Sequence, residues 1–468
     1  MHLIVVGGTA AGAKAAARAH RVNGDIAITL YQEESEISYT ACGQPYYLSG
    51  LVASREALLI RRASGFEADG IKVRIRHRVT GVSTREQLIE VRDLDRNTLD
   101  VVAYDRLILA IGARPLIPTI KGSDLDGVVT LRTMVELDRF KSTLDRLKPK
   151  KAVIVGGGYI GLELAETLHA LGMTVTLVDK LERVFSRLDP EISQRVHDYL
   201  ITKNVQVILG ESIAEIAEEK GRPAAVITAS GRLLPAEFVV LALGIRPNVD
   251  LAEKAGIRLG PTGAIAVDSR METDSKGVFA AGDCAESFHR LIRSPVWGPL
   301  GDIANLQGRV AGENAAGGDA RFPGVLGTAI CKTFDLNVGL TGLTEAAARE
   351  AGLNPITTVI TARDKARYYP GARELTLKLV AESPSGRLLG AQAVGLGAVD
   401  KMIDIAATAL LGGLSCRDLE NADLAYAPPF SPVLSPIIVA ASTLLREKGF
   451  ISEKLQPHQN LAHRRGVE

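Results

Sequence analysis

A chain of 468 residues has room for about three domains of ~100–200 residues each, and 46% apolar residues supply their cores. Lys and Arg total 55 against 54 Asp and Glu, a net charge of +1 with no long basic run, which argues against a nucleic-acid partner and for a small substrate. The 4 cysteines, Cys42, Cys284, Cys331 and Cys416, form neither a Cys-x-x-Cys pair nor a zinc-spaced cluster, so no disulfide framework and no metal site is expected.

The chain begins at once on an apolar strand, with no charged leader and no bilayer-length apolar stretch, so a reducing cytoplasmic setting without membrane contact is expected. That strand, residues 3–6, feeds Gly7-Gly8-Thr9-Ala10-Ala11-Gly12 and then a helix-forming run. Strand, glycine turn and helix in that order offer backbone N–H groups to a pyrophosphate, with Gly7, Gly8, Thr9, Ala10, Ala11 and Gly12 as its contacts. Thr9 stands where the middle glycine is usual. A second strand, 26–31, leads to Gln32 and Glu33, at the register where an acid should bind ribose hydroxyls.

Next comes Ser38-Tyr39-Thr40-Ala41-Cys42-Gly43-Gln44-Pro45-Tyr46-Tyr47. A thiol in the first turn of a helix, or beside a cation, shifts towards the reactive thiolate, and the run after Cys42 is able to start a helix. The stretch resembles the flavin-dependent pyridine nucleotide-disulfide oxidoreductases. Within that family it looks most like the coenzyme A-disulfide reductase branch, where a single redox cysteine precedes Gly-x-Pro-Tyr-Tyr. Dithiol members carry a second cysteine five positions on; here that position is Tyr47, which excludes an internal disulfide at this site.

Residues 71–102 alternate and are polar, which predicts a small antiparallel sheet. The buried strand that follows ends in Ala110-Ile111-Gly112-Ala113-Arg114-Pro115, resembling the family's second flavin motif and placing Ala110 and Gly112 near the dinucleotide. Then Gly156-Gly157-Gly158-Tyr159-Ile160-Gly161 gives a complete Gly-x-Gly-x-x-Gly after an apolar strand, with Gly156, Gly158 and Gly161 in the three glycine roles and Ile160 among the loop contacts. The next strand ends on Asp179, whose carboxylate can bind ribose hydroxyls and repel a 2′-phosphate. NADH is therefore expected over NADPH, with Lys180 and Arg183 near enough to soften the preference and keep NADPH as the alternative.

Two such units imply two dinucleotides. Gly282-Asp283, after an apolar strand, resembles the family's third flavin motif, in which the acid accepts from the ribityl chain of FAD. Lying beyond the second unit, it implies that the nicotinamide domain is inserted in the FAD domain. A helix starting near 302–304, with Ala304 in its first turn, should point its positive end at the flavin pyrimidine. The resemblance further implies that Tyr159 is an aromatic gate over the flavin ring and that Glu163 is a carboxylate near the nicotinamide.

From about 324 the strands are short and antiparallel, at 328–334, 337–340, 357–361, 375–380 and 388–394, with helices at 400–411 and 435–447. This region resembles the family's dimerisation domain. Cys284, Cys331 and Cys416 read as buried fillers, and residues 452–468 as a polar, disordered tail. In the coenzyme A-disulfide reductase branch, tyrosines in segments like those of Tyr368, Tyr369 and Tyr426 reach across the dimer to the partner's cysteine, where a phenol can protonate a departing thiolate. Phe430 stands where the branch has a second tyrosine after Pro-Pro.

The expected fold is α/β: two Rossmann-like dinucleotide-binding domains plus a C-terminal α+β dimerisation domain. The boundaries are FAD domain 1–118 and 246–323, NAD(H) domain 119–245, dimerisation domain 324–450 and tail 451–468. The resemblance, which covers about residues 1–450, implies a homodimeric enzyme with shared sites that uses NADH and FAD to reduce a small-molecule thiol disulfide or persulfide through Cys42. An NADH oxidase or peroxidase cycling through a Cys42 sulfenic acid is the second reading, disfavoured by Ala10 where those enzymes keep a histidine. A redox-sensing flavoprotein is the third.

Overall fold

The computed structural model describes residues 1–447 and 449, so the predicted tail lies outside the described residues. The chain divides into two compact units, Met1–Leu340 and Thr341–Glu468.

The first unit contains two five-stranded parallel sheets of the same design. In one, the order is Val278–Ala280, Arg106–Leu109, His2–Val6, Ala27–Tyr31 and Lys72–Arg74. In the other it is Gln206–Ile208, Thr174–Val178, Lys151–Val155, Phe238–Leu241 and Val128–Val129. The central strands His2–Val6 and Lys151–Val155 are almost continuously buried, as strands covered on both faces must be. Each is followed by a helix, Ala10–Val22 or Tyr159–Ala170, that crosses to a parallel neighbour.

Each sheet also carries a three-stranded antiparallel meander, one over His77–Ser83, Leu88–Asp93 and Thr98–Ala103, the other over Ile213–Glu219, Arg222–Thr228 and Leu233–Pro235. The expected antiparallel region therefore starts later than 71, because Lys72–Arg74 pairs in parallel with Ala27–Tyr31 as an edge of the main sheet. The chain leaves the first sheet through Ala113–Pro115 and returns through Ile245–Pro247, and these two segments pair antiparallel, Ile245 opposite Pro115. Everything between them is an excursion that starts and ends at one point.

Helix Gly301–Ala315 lies directly against Ala10–Val22: a Cβ on Gly308 would stand 2.2 Å from the Ala11 carbonyl oxygen. Beyond it, Ala329–Thr333 pairs antiparallel with Leu336–Gly342, the strand in which the first unit ends.

In the second unit, Pro355–Arg363, Glu374–Glu382 and Leu388–Gly395 form an antiparallel sheet. Helix Val399–Gly412 packs against its Leu388–Gly395 strand, and Pro436–Glu447 against the other two. Ser415 and Asp418 cap helix Cys416–Glu420 reciprocally in a capping box.

Candidate active site

Both glycine loops are built alike. Gly7 and Gly156 close the turn after the central strand with φ of +98° and +112°, and a Cβ there would stand 2.1 and 2.2 Å from the Ala110 and Ala242 carbonyl oxygens. Only glycine fits. Neither N-cap residue, Thr9 or Gly158, supplies a side-chain cap, so the first-turn N–H groups of both helices face outwards as an anion site would require. Gly161 lies under the second turn, where a Cβ would meet the Gly156 carbonyl oxygen at 2.0 Å.

The two ribose positions are equivalent in place and different in chemistry. Asp179 Oδ2 accepts from the Gly157 N–H at 2.7 Å, and Gln32 Oε1 accepts from the Gly8 N–H at the same distance. Asp179 also accepts from the Leu181 N–H. Gln32 is buried and turns its amide nitrogen to Glu34, so of the two residues predicted here Glu33 carries the exposed carboxylate, ion-paired with Arg78.

The cysteine stretch is clamped from three sides. The Ser38 N–H donates to Gly8 O at 2.7 Å, which ties it to the first loop. The buried Gln44 amide donates to Thr133 O at 3.1 Å, and the Thr167 hydroxyl, on the nicotinamide helix, donates to Pro45 O at 3.2 Å. Cys42 itself sits in a 3₁₀ turn, Ala41–Gly43, and the short helix Gln44–Leu48 starts after it. It is exposed, whereas Cys284, Cys331 and Cys416 are buried.

The expected activation of the thiol is not what the protein's own groups produce. Partial desolvation raises the Cys42 pKa first, and the Glu163 carboxylate raises it further; Arg132 pulls it down and Asp283 up again. The helix after Cys42 has five residues and begins two positions later, so it contributes little dipole. Glu163, from helix Tyr159–Ala170, is itself pushed up to about 7, by burial and then by Glu166. Glu166 is held by the Lys332 ammonium at 2.8 Å and the Phe334 N–H at 2.8 Å.

Sequence reasoning missed Arg132. It precedes the capping-box helix Met134–Leu147, ion-pairs with Asp283, donates from Nε to Ala113 O at 3.1 Å, and lowers the Cys42 pKa. No local pattern marks it; only the fold brings it to Asp283. Next to Asp283, Gln307 Oε1 accepts from the Gly282 N–H, and the Asp283 carbonyl accepts from the Trp297 ring N–H. Ala304 is buried in the first turns of Gly301–Ala315, whose N-cap Leu300 gives no side-chain cap. Ala110 is buried at the end of its strand, and Gly112 has φ +65° with its carbonyl bonded to the Asn248 N–H.

Tyr159 opens the nicotinamide helix, with Ile160 behind it, and its buried hydroxyl has no hydrogen-bond partner. The tyrosines of the second unit come together: desolvation raises the Tyr368 pKa first and the neighbouring Tyr426 raises it further, and Tyr426 and Tyr368 are 48% and 76% exposed, so they are available to a binding partner. The Tyr369 N–H donates to Ala366 O in the same turn.

Two uncapped helix N-termini at the carboxyl ends of two parallel sheets, with a charged Arg132–Asp283 pair, an exposed thiol and an orphaned phenol beside them, fit a flavin dinucleotide and a nicotinamide dinucleotide. That combination defines a flavin- and nicotinamide-dependent oxidoreductase.

The comparisons agree. Residues 1–298 match the pyridine nucleotide-disulphide oxidoreductase family and residues 328–436 its dimerisation domain. The chain belongs to the pyridine nucleotide-disulphide oxidoreductases, whose cofactors are FAD and NAD(P)H. It is 38% identical over 443 residues to an NAD(P)H coenzyme A polysulfide/persulfide reductase of Pyrococcus horikoshii, covering 94% of this chain and 98% of that one. It is 30% identical over 431 residues to a coenzyme A disulfide reductase of Staphylococcus haemolyticus, covering 92% and 96%. The solved structure of an NAD-dependent persulfide reductase from A. fulgidus superposes with a TM-score of 0.93 at 39% identity, covering 96% of this chain and 84% of that one.

Proposed function

We propose that this enzyme uses NADH, with NADPH as an alternative, to reduce the disulfide or persulfide of a small thiol of the coenzyme A type through Cys42. The observation that carries the reading is that Cys42 is the exposed cysteine of the described residues, with Tyr47 where a dithiol enzyme has its second thiol. The names of the relatives support the substrate class.

Bound FAD supplies the two-electron link between NADH and sulfur. The protein's part is thiol exchange. Cys42 thiolate attacks one sulfur of the substrate, RS–SR′, forming a Cys42–SR mixed disulfide and releasing R′S⁻; with a persulfide the leaving group is HS⁻. Two electrons from NADH and a proton then return Cys42 and RSH. Arg132 favours the thiolate, Glu163 opposes it, and the clamp on Gly8, Thr133 and Thr167 fixes the sulfur's position.

The proton for the departing thiolate comes, in this proposal, from the Tyr426–Tyr368 pair of a second copy of the chain, with Tyr369 beside it. Each site of a two-fold dimer then uses both chains. The FAD domain is assigned to 1–118 and 246–323, the NAD(H) domain to 119–245 and the dimerisation domain to 324–450, in a reducing cytoplasm.

NADH consumption with coenzyme A disulfide, coenzyme A persulfide, peroxide or oxygen as sole acceptor tests this. Turnover fastest with one of the two sulfur acceptors supports it. Oxygen or peroxide as the fastest acceptor overturns it in favour of an oxidase or peroxidase.

A further inference from the structure

The loop that follows Asp179 holds an aromatic residue in an unusual backbone state. Phe185 has φ +48°, in the left-handed region that bulky side chains rarely enter, and it is only 2% exposed. Its neighbours hold it there. The Phe185 N–H donates to Gly157 O at 2.8 Å, its carbonyl accepts from the Leu188 N–H at 3.0 Å, and the Ser193 hydroxyl donates to Val184 O at 2.5 Å. A strained residue tethered on both sides is one whose placement the surrounding structure enforces.

What the placement achieves is a ring contact. Phe185 meets Tyr159 edge to face, with centroids 4.4 Å apart at 75°. The Arg187 guanidinium lies 5.9 Å from the centroid of the same tyrosine ring. The Tyr159 hydroxyl, by contrast, is buried without a partner. The tyrosine is therefore gripped by its ring and left unsatisfied at its polar tip, so moving the ring breaks no hydrogen bond of that hydroxyl.

We propose that Phe185 is a positioning residue for Tyr159: it pins the phenol ring across the nicotinamide pocket, and the strength of that contact sets the cost of admitting the nicotinamide half of NAD(H). This rests on Tyr159 acting as a gate. The ADP-ribose half of the cofactor is read by the Gly156–Gly161 loop and Asp179 and enters without displacing the ring.

The test is calorimetric titration of the FAD-loaded, full-length protein with NAD⁺ and with ADP-ribose, for wild type, Phe185→Leu and Tyr159→Ala. Leucine keeps the loop filled and removes the ring edge. An aromatic pair contributes enough for its loss to tighten NAD⁺ binding by about two- to tenfold in Phe185→Leu, with ADP-ribose binding unchanged. Tyr159→Ala should tighten NAD⁺ at least as much. Equal weakening of both ligands in Phe185→Leu overturns the proposal, because the residue then merely builds the loop. Unchanged NAD⁺ binding in Phe185→Leu, with tightening in Tyr159→Ala, overturns the pin and leaves the gate standing. No tightening in Tyr159→Ala overturns the gate itself, and the pin with it.

Discussion

The Glu163 carboxylate raises the pKa of the Cys42 thiol, although the two residues sit on different sheets' elements and 121 positions apart. Burial comes first in the Cys42 shift and Glu163 second, while Arg132 opposes both. The thiol's reactivity is thus set by side chains that the fold imports from the nicotinamide helix and from the segment before Met134–Leu147.

Replacing Glu163 by Gln should lower the Cys42 pKa. The rate of Cys42 alkylation against pH, read in a background lacking the three buried cysteines or by mass spectrometry of the Cys42 peptide, gives that pKa directly. An unchanged or higher value contradicts the assignment of Glu163 as an opposing charge.

The same substitution has a stability signature with a definite sign. Glu163 is held up to about 7 in the folded protein, against about 4.3 in an unfolded chain. The unfolded state therefore gives up its proton first, and the stability contributed by this group falls as pH rises from about 4.3 to about 7 and stays lost above. Glu163→Gln should match wild type near pH 4.5 and exceed it at pH 8, by roughly 3–4 kcal/mol in denaturant unfolding. Equal stability of the two proteins at pH 8 would argue that the carboxyl is not so buried.

Arg132→Met should act in the other direction on the thiol and leave Asp283 unpaired. The Cys42 alkylation rate at neutral pH should drop by about three- to tenfold, a modest factor because the guanidinium is partly exposed. Flavin retention through gel filtration should fall at the same time, and a variant that keeps both properties removes Arg132 from the site.

Of all these features, the nicotinamide loop was the most legible in the sequence, because Gly156, Gly158, Gly161 and Asp179 follow one another at spacings fixed by strand, turn and helix. The strands from 328 onwards and the helices at 400–411 and 435–447 were also readable from their periodicity, whereas the six-residue helix Glu345–Glu350 was too short to show one. Lys72–Arg74 was not: three residues carry no periodicity, and their parallel pairing with Ala27–Tyr31 is a tertiary choice. Arg132, Phe185 and Arg78 were invisible for the same reason, since each acts on a residue remote in sequence or through a backbone conformation that spacing does not encode. Cys42 illustrates the division within one residue. Its identity and its company were written locally, but the turn that holds it precedes the helix, and the charges that tune it arrive from elsewhere.

Shared sites make a complementation prediction. Cys42→Ser and Tyr426→Phe subunits, each impaired as homodimers, should recover activity when unfolded and refolded together, up to about a quarter of wild-type sites for random pairing in a two-fold dimer. Mixed dimers that form without recovering activity, or a fully active Tyr426→Phe enzyme, contradict the sharing.

The central claim, that Cys42 is the sulfur through which electrons reach the substrate, is tested most directly by anaerobic stopped-flow of FAD-loaded Cys42→Ser with NADH and coenzyme A disulfide or persulfide. The account predicts that NADH still bleaches the flavin absorbance, while release of coenzyme A thiol or sulfide falls to background. Release at the wild-type rate from the serine variant would contradict it.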